Sequence, residues 1–66
     1  MMRLYTVLLE NSYGRTRHIV RAHDVAQAIA LARIAGMFLG GDVECECDLL
    51  TETGPACVLL SDGVSA

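Results

Sequence analysis

Hydrophobic and polar residues alternate with a period of two in several stretches of the chain, which is the pattern of half-buried β-strands. Residues 2–10 are rich in Leu, Val, Tyr and Thr and predict a first strand. Residues 15–22 alternate in the same way and predict its return strand. The turn residues between them end at Gly14, so we expect a tight hairpin in which Glu10 faces Arg15.

The two faces of this hairpin differ in character. One face is expected to carry Tyr5, Val7, Leu9, His18, Val20 and Ala22. The other is expected to carry Leu4, Leu8 and Ile19 among Arg15, Arg17 and Arg21. Because the second face mixes apolar and charged side chains, it offers a surface for a partner as well as for water.

The middle of the chain changes to a helical pattern. Asp24 followed by Gln27 matches a capping box at a helix start. Five alanines between 26 and 35 give high helix propensity. The helix is expected to end at Gly36 or to continue through Phe38. It is apolar nearly all round, which is typical of a helix covered on more than one side.

Two further strands follow the helix. Residues 42–50, DVECECDLL, alternate strictly and predict a third strand. Residues 57–61 predict a short fourth strand, and 62–66 a tail. The order β-β-α-β-β predicts an α+β fold, with an antiparallel sheet and one helix packed on one face, in a single domain of residues 1–66. The order of the strands within the sheet stays open.

Composition narrows the class of protein. A chain of 66 residues that is 53% hydrophobic has more apolar surface than one small core needs, which favours a homodimer formed through an apolar helix or sheet face. The net charge of −3 comes from five arginines, no lysine and eight acids, and gives no general attraction to nucleic acid or to an anionic membrane. With no membrane span, no signal-peptide pattern and an odd cysteine count, we expect a soluble, cytoplasmic protein with reduced thiols.

The cysteines raise the question of a metal site. Cys45 and Cys47 share one face of the predicted third strand, and Cys57 is expected across a hairpin from Cys47 or Leu49, depending on the register. With His18 or His23 they offer a Cys3His set, but a mid-strand C-x-C is not the spacing of structural zinc sites. We favour small core residues, with no metal and no cofactor, over a metal or redox role.

Catalytic residues are not predicted, because no nucleophile is placed beside a base and an orienting group. Arg15, Arg17 and Arg21 share a strand face and are candidate nucleic-acid-binding residues of a small dimeric regulator. The competing interpretation is that these arginines form ion pairs across strands, for example with Glu10.

Acids form the most regular charged feature. We name the acidic row as Asp42, Glu44, Glu46 and Asp48, with Glu52 flanking it and Asp62 expected to join from a neighbouring strand. Charges on one strand face repeat about every 6.7 Å, roughly half the density along a DNA strand. The row is either a solvated strand face or a patch that binds an Arg/Lys-lined groove.

The succession of GRTRHIVRAHDVAQAIALA and DVECECD resembles small anti-CRISPR inhibitors, which are phage or mobile-element proteins. The resemblance is one of architecture and covers most of the chain. It implies inhibition by occupying a basic DNA- or PAM-reading site on a CRISPR effector subunit. We therefore predict a non-enzymatic inhibitor that binds a basic nucleic-acid-binding protein. The alternatives are the arginine-face regulator and a structural subunit that buries Leu31, Ile34 and Phe38, or the apolar residues of the hairpin, against a partner.

Overall fold

The computed structural model describes residues 1–12, 14–36 and 41–64. Within them the chain forms β1 (Met2–Asn11), β2 (Gly14–Ala22), α1 (Val25–Gly36), β3 (Asp42–Glu52) and β4 (Cys57–Val64). All strand pairs are antiparallel, so the predicted α+β class with order β-β-α-β-β is confirmed. The fourth strand is longer than expected, because residues 62–64 pair with β2 and are not a tail.

The β1–β2 hairpin has the predicted register. Glu10 lies opposite Arg15, and Asn11 lies opposite Gly14. The Gly14 amide donates a hydrogen bond to Oδ1 of Asn11 at 3.2 Å, which satisfies one backbone donor at the turn. The two faces of the hairpin are therefore populated as the alternation predicts.

The strand order is β3-β1-β2-β4, so the hairpin occupies the centre and β3 and β4 form the two edges. The helix carries the chain back to the starting end of β2, and β3 then pairs with the free side of β1. The expectation that Cys57 faces Cys47 or Leu49 in a β3–β4 hairpin is wrong, because Cys57 lies on β4 at the far edge, opposite Arg21 of β2. Residues 53–56 connect the two edges.

The core lies between α1 and the central hairpin. Its fully or nearly fully buried apolar residues are Tyr5, Val7, Leu9, Val20, Ala22, Ala28 and Ala32. The two helix positions in this set are alanines, whose small side chains let the helix lie close to the sheet. The described residues leave part of the outer side of the helix uncovered, since Ile34 is 72% exposed. Phe38 lies outside the described residues.

The start of α1 is fixed by the predicted capping box. Oδ1 of Asp24 accepts a hydrogen bond from the Gln27 amide at 2.8 Å. Oε1 of Gln27 accepts one from the His23 amide at 2.7 Å. A cap of this kind contributes about 1 kcal/mol, and here it sets the point at which the chain leaves β2 and crosses the sheet.

Candidate functional site

The sheet face opposite α1, which we call the open face, carries most of the charged residues. The register aligns side chains in rungs that cross all four strands. One rung consists of Glu44, Leu8, Arg17 and Asp62. The next consists of Glu46, Thr6, Ile19 and Leu60. The open face therefore has acids along the β3 edge and apolar and arginine side chains at its centre.

Three members of the acidic row lie on regularly paired positions of the β3 edge. Asp42, Glu44 and Glu46 are all exposed and pair with successive open-face residues of β1. Among the described residues, no ion pair involves any of the three. Their carboxylates are therefore accessible to a partner.

Asp48 continues the row only in part. The β1–β3 register shifts between Arg3 and Tyr5, so residues 48–50 bulge opposite Leu4. Oδ1 of Asp48 accepts a hydrogen bond from the Leu50 amide at 3.0 Å, which ties this exposed carboxylate to its own turn. The bulge changes the direction of the strand at the end of the row.

The two flanking acids are engaged elsewhere. Glu52 is partly buried, and its Oε1 lies 3.3 Å from Nη1 of Arg21. Asp62 stands on β4, at the opposite edge of the sheet, and pairs with Arg17 at 3.2 Å. The expectation that Asp62 joins the acidic row is wrong, because β3 and β4 are not neighbours.

The three candidate nucleic-acid-binding arginines share the open face but differ in access. Nε of Arg15 lies 2.8 Å from Oε2 of Glu10, and the Arg15 and Arg17 side chains are 57% and 55% exposed. The Arg21 side chain is only 17% exposed. Its Nε donates to the carbonyl oxygen of Pro55 at 2.9 Å. Arg21 is thus held by the segment that connects the edges, whereas the other two reach solvent.

A concavity of about 500 Å³ lies at the end of the acidic row. It is lined by Leu8, Glu10, Arg15, Asp42, Val43 and Glu44. Three of these residues are acids, two are apolar, and one is Arg15, which pairs with Glu10. Asp42 and Glu44 are therefore the acids of this lining that a further basic side chain, with its apolar stem and charged tip, would contact.

The thiols do not converge. Cys45 is partly buried and packs against the core, whereas Cys47 is exposed on the same side of β3. Burial, and then the neighbouring Cys47, raise the pKa of the Cys45 thiol. Cys57 lies on β4, at the other edge of the sheet, beside Arg21 of β2. Within the described residues, no three metal-ligating side chains come together.

One polar cluster was not anticipated from the sequence. His18 is 1% exposed, and Nδ1 of its ring lies 2.8 Å from Oγ of Ser61. Nε2 lies 2.9 Å from Oγ1 of Thr16. The spacing of Thr16 and His18 places them on one face, but the contribution of β4 depends on the strand order. Because the ring lies beneath the helix and both nitrogens are occupied by hydroxyls, the cluster links β2 to β4.

The described part of the chain contains no helix with the length and apolar character needed to cross a membrane. Comparison of the chain with models of known protein families, with curated proteins and with solved structures finds no match.

Proposed function

We propose that the protein is a non-enzymatic interaction module that blocks a basic nucleic-acid-binding surface of a partner protein, as an anti-CRISPR inhibitor blocks a CRISPR effector. The observation that carries the proposal is the exposure of Asp42, Glu44 and Glu46 on one strand edge, where none of them forms an ion pair within the described part of the chain. If the partner is a CRISPR effector, both proteins meet in the cytoplasm of a host cell.

The charge arrangement supports a basic protein surface as the target. Carboxylates at about 6.7 Å intervals leave room for one Arg or Lys side chain per acid. Complementary charge of this kind raises the rate of association and selects the partner. The concavity beside Glu44 and Asp42 offers one place where a basic side chain is held on several sides.

The central arginines fit this proposal better than they fit direct nucleic-acid binding. Arg15 and Arg17 are each paired with an acid of the same face. A phosphate approaching them would also meet the carboxylates of Glu10 and Asp62. The alternative of an arginine-face regulator is favoured only by the exposure of the two guanidinium groups.

The decisive experiment compares two variants that change the net charge of the protein by the same amount, only one of which neutralises the acidic row. The test variant is Asp42→Asn, Glu44→Gln, Glu46→Gln, which neutralises the three acids that carry the proposal. The matched control adds the same three units of charge on the exposed side of the helix, as Ala26→Lys, Ala30→Lys, Ala35→Lys. Both variants are immobilised and used to capture proteins from host-cell lysate. We expect basic nucleic-acid-binding proteins on the wild type and on the helix control, and their loss from the neutralised variant.

A second pair of variants separates the alternative. Arg15→Ala, Arg17→Ala should retain the captured protein under the proposal and lose it if the arginine face is the binding surface. Retention by the neutralised variant together with loss by the arginine variant would refute the acidic-row proposal. The homodimer prediction is checked separately by mass measurement in solution, where a monomer at high concentration would count against it.

A further inference from the structure

We propose that the free edge of β3 binds an extended segment of the partner by strand addition, and that this segment alternates Lys or Arg with apolar residues. The inference rests on the proposed function and specifies how the partner is held. Backbone hydrogen bonds along residues 42–47 would provide affinity, and the acidic row would select the basic residues. Strand addition to an exposed sheet edge is a recurrent mode of peptide recognition.

Among residues 1–12, 14–36 and 41–64, no strand pairs with the outer side of β3, so its backbone presents unpaired groups along this edge. Asn11 and Gly14 pair across two intervening residues, and a pair that closes a two-residue hairpin loop exchanges its hydrogen bonds within the hairpin. Backbone polar groups alternate between the two sides of an antiparallel strand. The backbone N–H and C=O groups of odd-numbered β1 residues therefore form hydrogen bonds with β2, and those of even-numbered β1 residues form hydrogen bonds with β3.

The same alternation continues into β3. The even-numbered residues of β1 lie opposite Asp42, Glu44 and Glu46, whose backbone groups therefore point toward β1. The backbone groups of Val43, Cys45 and Cys47 point away from the sheet. Six residues in regular register, about 20 Å of strand, are available before the bulge.

The two sheet faces at β3 have different chemistry, so they favour different side chains on an added strand. On the open face, an added strand would place alternate side chains beside Glu44 and Glu46. On the helix side it would place the intervening ones beside Val43, Cys45 and Cys47. The first two of these are only partly buried, and Cys47 is exposed, because the helix packs over the central hairpin. A segment with basic and apolar residues at alternate positions matches both sides.

A second copy of the chain is a poor occupant of this edge. Antiparallel pairing of β3 with itself would set the carboxylates of one copy beside those of the other on the same face, and like charges side by side destabilise a sheet. The β4 edge is less suitable for a basic segment. Its register shifts between Ile19 and Val20, and its acid, Asp62, is already paired with Arg17.

Hydrogen exchange with synthetic peptides tests the mode of binding. The probe is an eight-residue peptide of alternating Arg and Val, with blocked ends. The Arg/Pro analogue has the same charge but lacks alternate backbone donors, and the Glu/Val analogue reverses the charge. We expect the amides of Val43, Cys45 and Cys47 to exchange quickly in the free protein and to become protected only with the Arg/Val peptide.

The outcomes separate the two proposals. If the Arg/Val and Arg/Pro peptides bind equally and these amides stay unprotected, strand addition is wrong while the acidic row still binds basic groups. If neither peptide binds at millimolar concentration, strand addition is also wrong. If the Arg/Val peptide still protects these amides after Glu44 and Glu46 are neutralised, the acidic row does not contribute to binding of the peptide. We expect neutralisation to weaken the Arg/Val peptide about two- to fivefold per carboxylate.

A variant of the protein gives an independent readout. Cys47→Pro removes an outward-pointing donor and no bond to β1, a position at which an edge strand tolerates proline. We expect it to weaken the Arg/Val peptide about two- to tenfold, the value of one hydrogen bond, relative to the matched control Cys47→Ser. Equal affinity in the two variants would contradict the proposal. If the proline variant fails to fold, the exchange measurement on the wild type still decides.

Discussion

Nε of Arg21 donates a hydrogen bond to the carbonyl oxygen of Pro55, 2.9 Å away. The same guanidinium donates to Oε1 of Glu52 at 3.3 Å and to Sγ of Cys57 at 3.6 Å. Gly54 has φ +122°, and a Cβ added there would lie 2.9 Å from the guanidinium. A single side chain from the central hairpin therefore holds the segment that carries the chain from one edge of the sheet to the other.

Replacement of Arg21 should destabilise the fold measurably. We expect Arg21→Ala to lower the free energy of unfolding by about 1.5–3 kcal/mol, the range for hydrogen bonds to a charged group. Arg21→Lys should recover less than half of the loss, because an ammonium group lacks the planar fork that reaches several acceptors. Urea denaturation followed by circular dichroism is the appropriate measurement, since the chain lacks tryptophan.

Arg15 provides the matched control for this prediction. Its ion pair with Glu10 has a comparably short distance, 2.8 Å from Nε to Oε2, and lies on the same face, but both side chains are about half exposed. We expect Arg15→Ala to cost less than about 1 kcal/mol. Equal losses for the Arg15 and Arg21 variants would show that the connecting segment does not depend on the Arg21 contacts.

The hairpin and the helix were predictable because their determinants are local. Alternation and a short turn set the pairing of Glu10 with Arg15, and the capping box at Asp24 and Gln27 marks the helix start. The strand order was not predictable, since neighbours in sequence are usually neighbours in a sheet. In this chain β3 and β4 are separated by the whole hairpin.

In the candidate site, too, the features set by local sequence were predictable and those set by tertiary contacts were not. Strict alternation correctly places Glu44 and Glu46 on one exposed side of β3. The departure of Asp48 from regular pairing depends on a bulge, and the engagement of Glu52 depends on an arginine 31 residues away. Both effects arise from tertiary contacts, which hydrophobic periodicity does not record.

Gly36 is expected to resist the usual stabilising substitution of a helical glycine. Alanine in place of glycine favours a helix by up to about 1 kcal/mol. At Gly36, however, the added Cβ would lie 2.9 Å from Nε2 of His18 and 3.2 Å from Oγ1 of Thr16. We expect Gly36→Ala to lower the free energy of unfolding by about 1–3 kcal/mol, as overpacking does.

A double variant identifies the cause of that loss. In a His18→Ser background the imidazole is absent, so Gly36→Ala should be neutral or stabilising relative to His18→Ser alone. The comparison uses urea denaturation of the four members of the cycle. A loss of the same size in both backgrounds would mean that the helix end, and not the His18 ring, opposes the methyl group.

His18 should make the stability of the fold depend on pH. Burial lowers the pKa of this imidazole below its ordinary value of about 6.5. The unfolded chain therefore takes up a proton at a higher pH than the folded chain does. It follows that the contribution is fully present above pH 6.5 and is lost as the pH falls through the lowered pKa.

The surroundings of the ring support this direction. In its rung on the helix side, His18 is flanked by Val7 and Ser61, with Cys45 beyond Val7. Burial raises the pKa of the Cys45 thiol, so that group stays neutral over the same range. No carboxylate in this rung offsets the charge that protonation of His18 would create.

We therefore expect the free energy of unfolding to fall between pH 7 and pH 5.5, with a slope of at most about 1.4 kcal/mol per pH unit, the limit for one proton. Urea denaturation at several pH values measures the slope. His18→Gln should reduce it while keeping one contact to the neighbouring hydroxyls. His23→Gln is the matched control, since His23 is exposed in the folded chain as it is in the unfolded one. A slope that survives in His18→Gln and disappears in His23→Gln would assign the pH dependence to the exposed histidine.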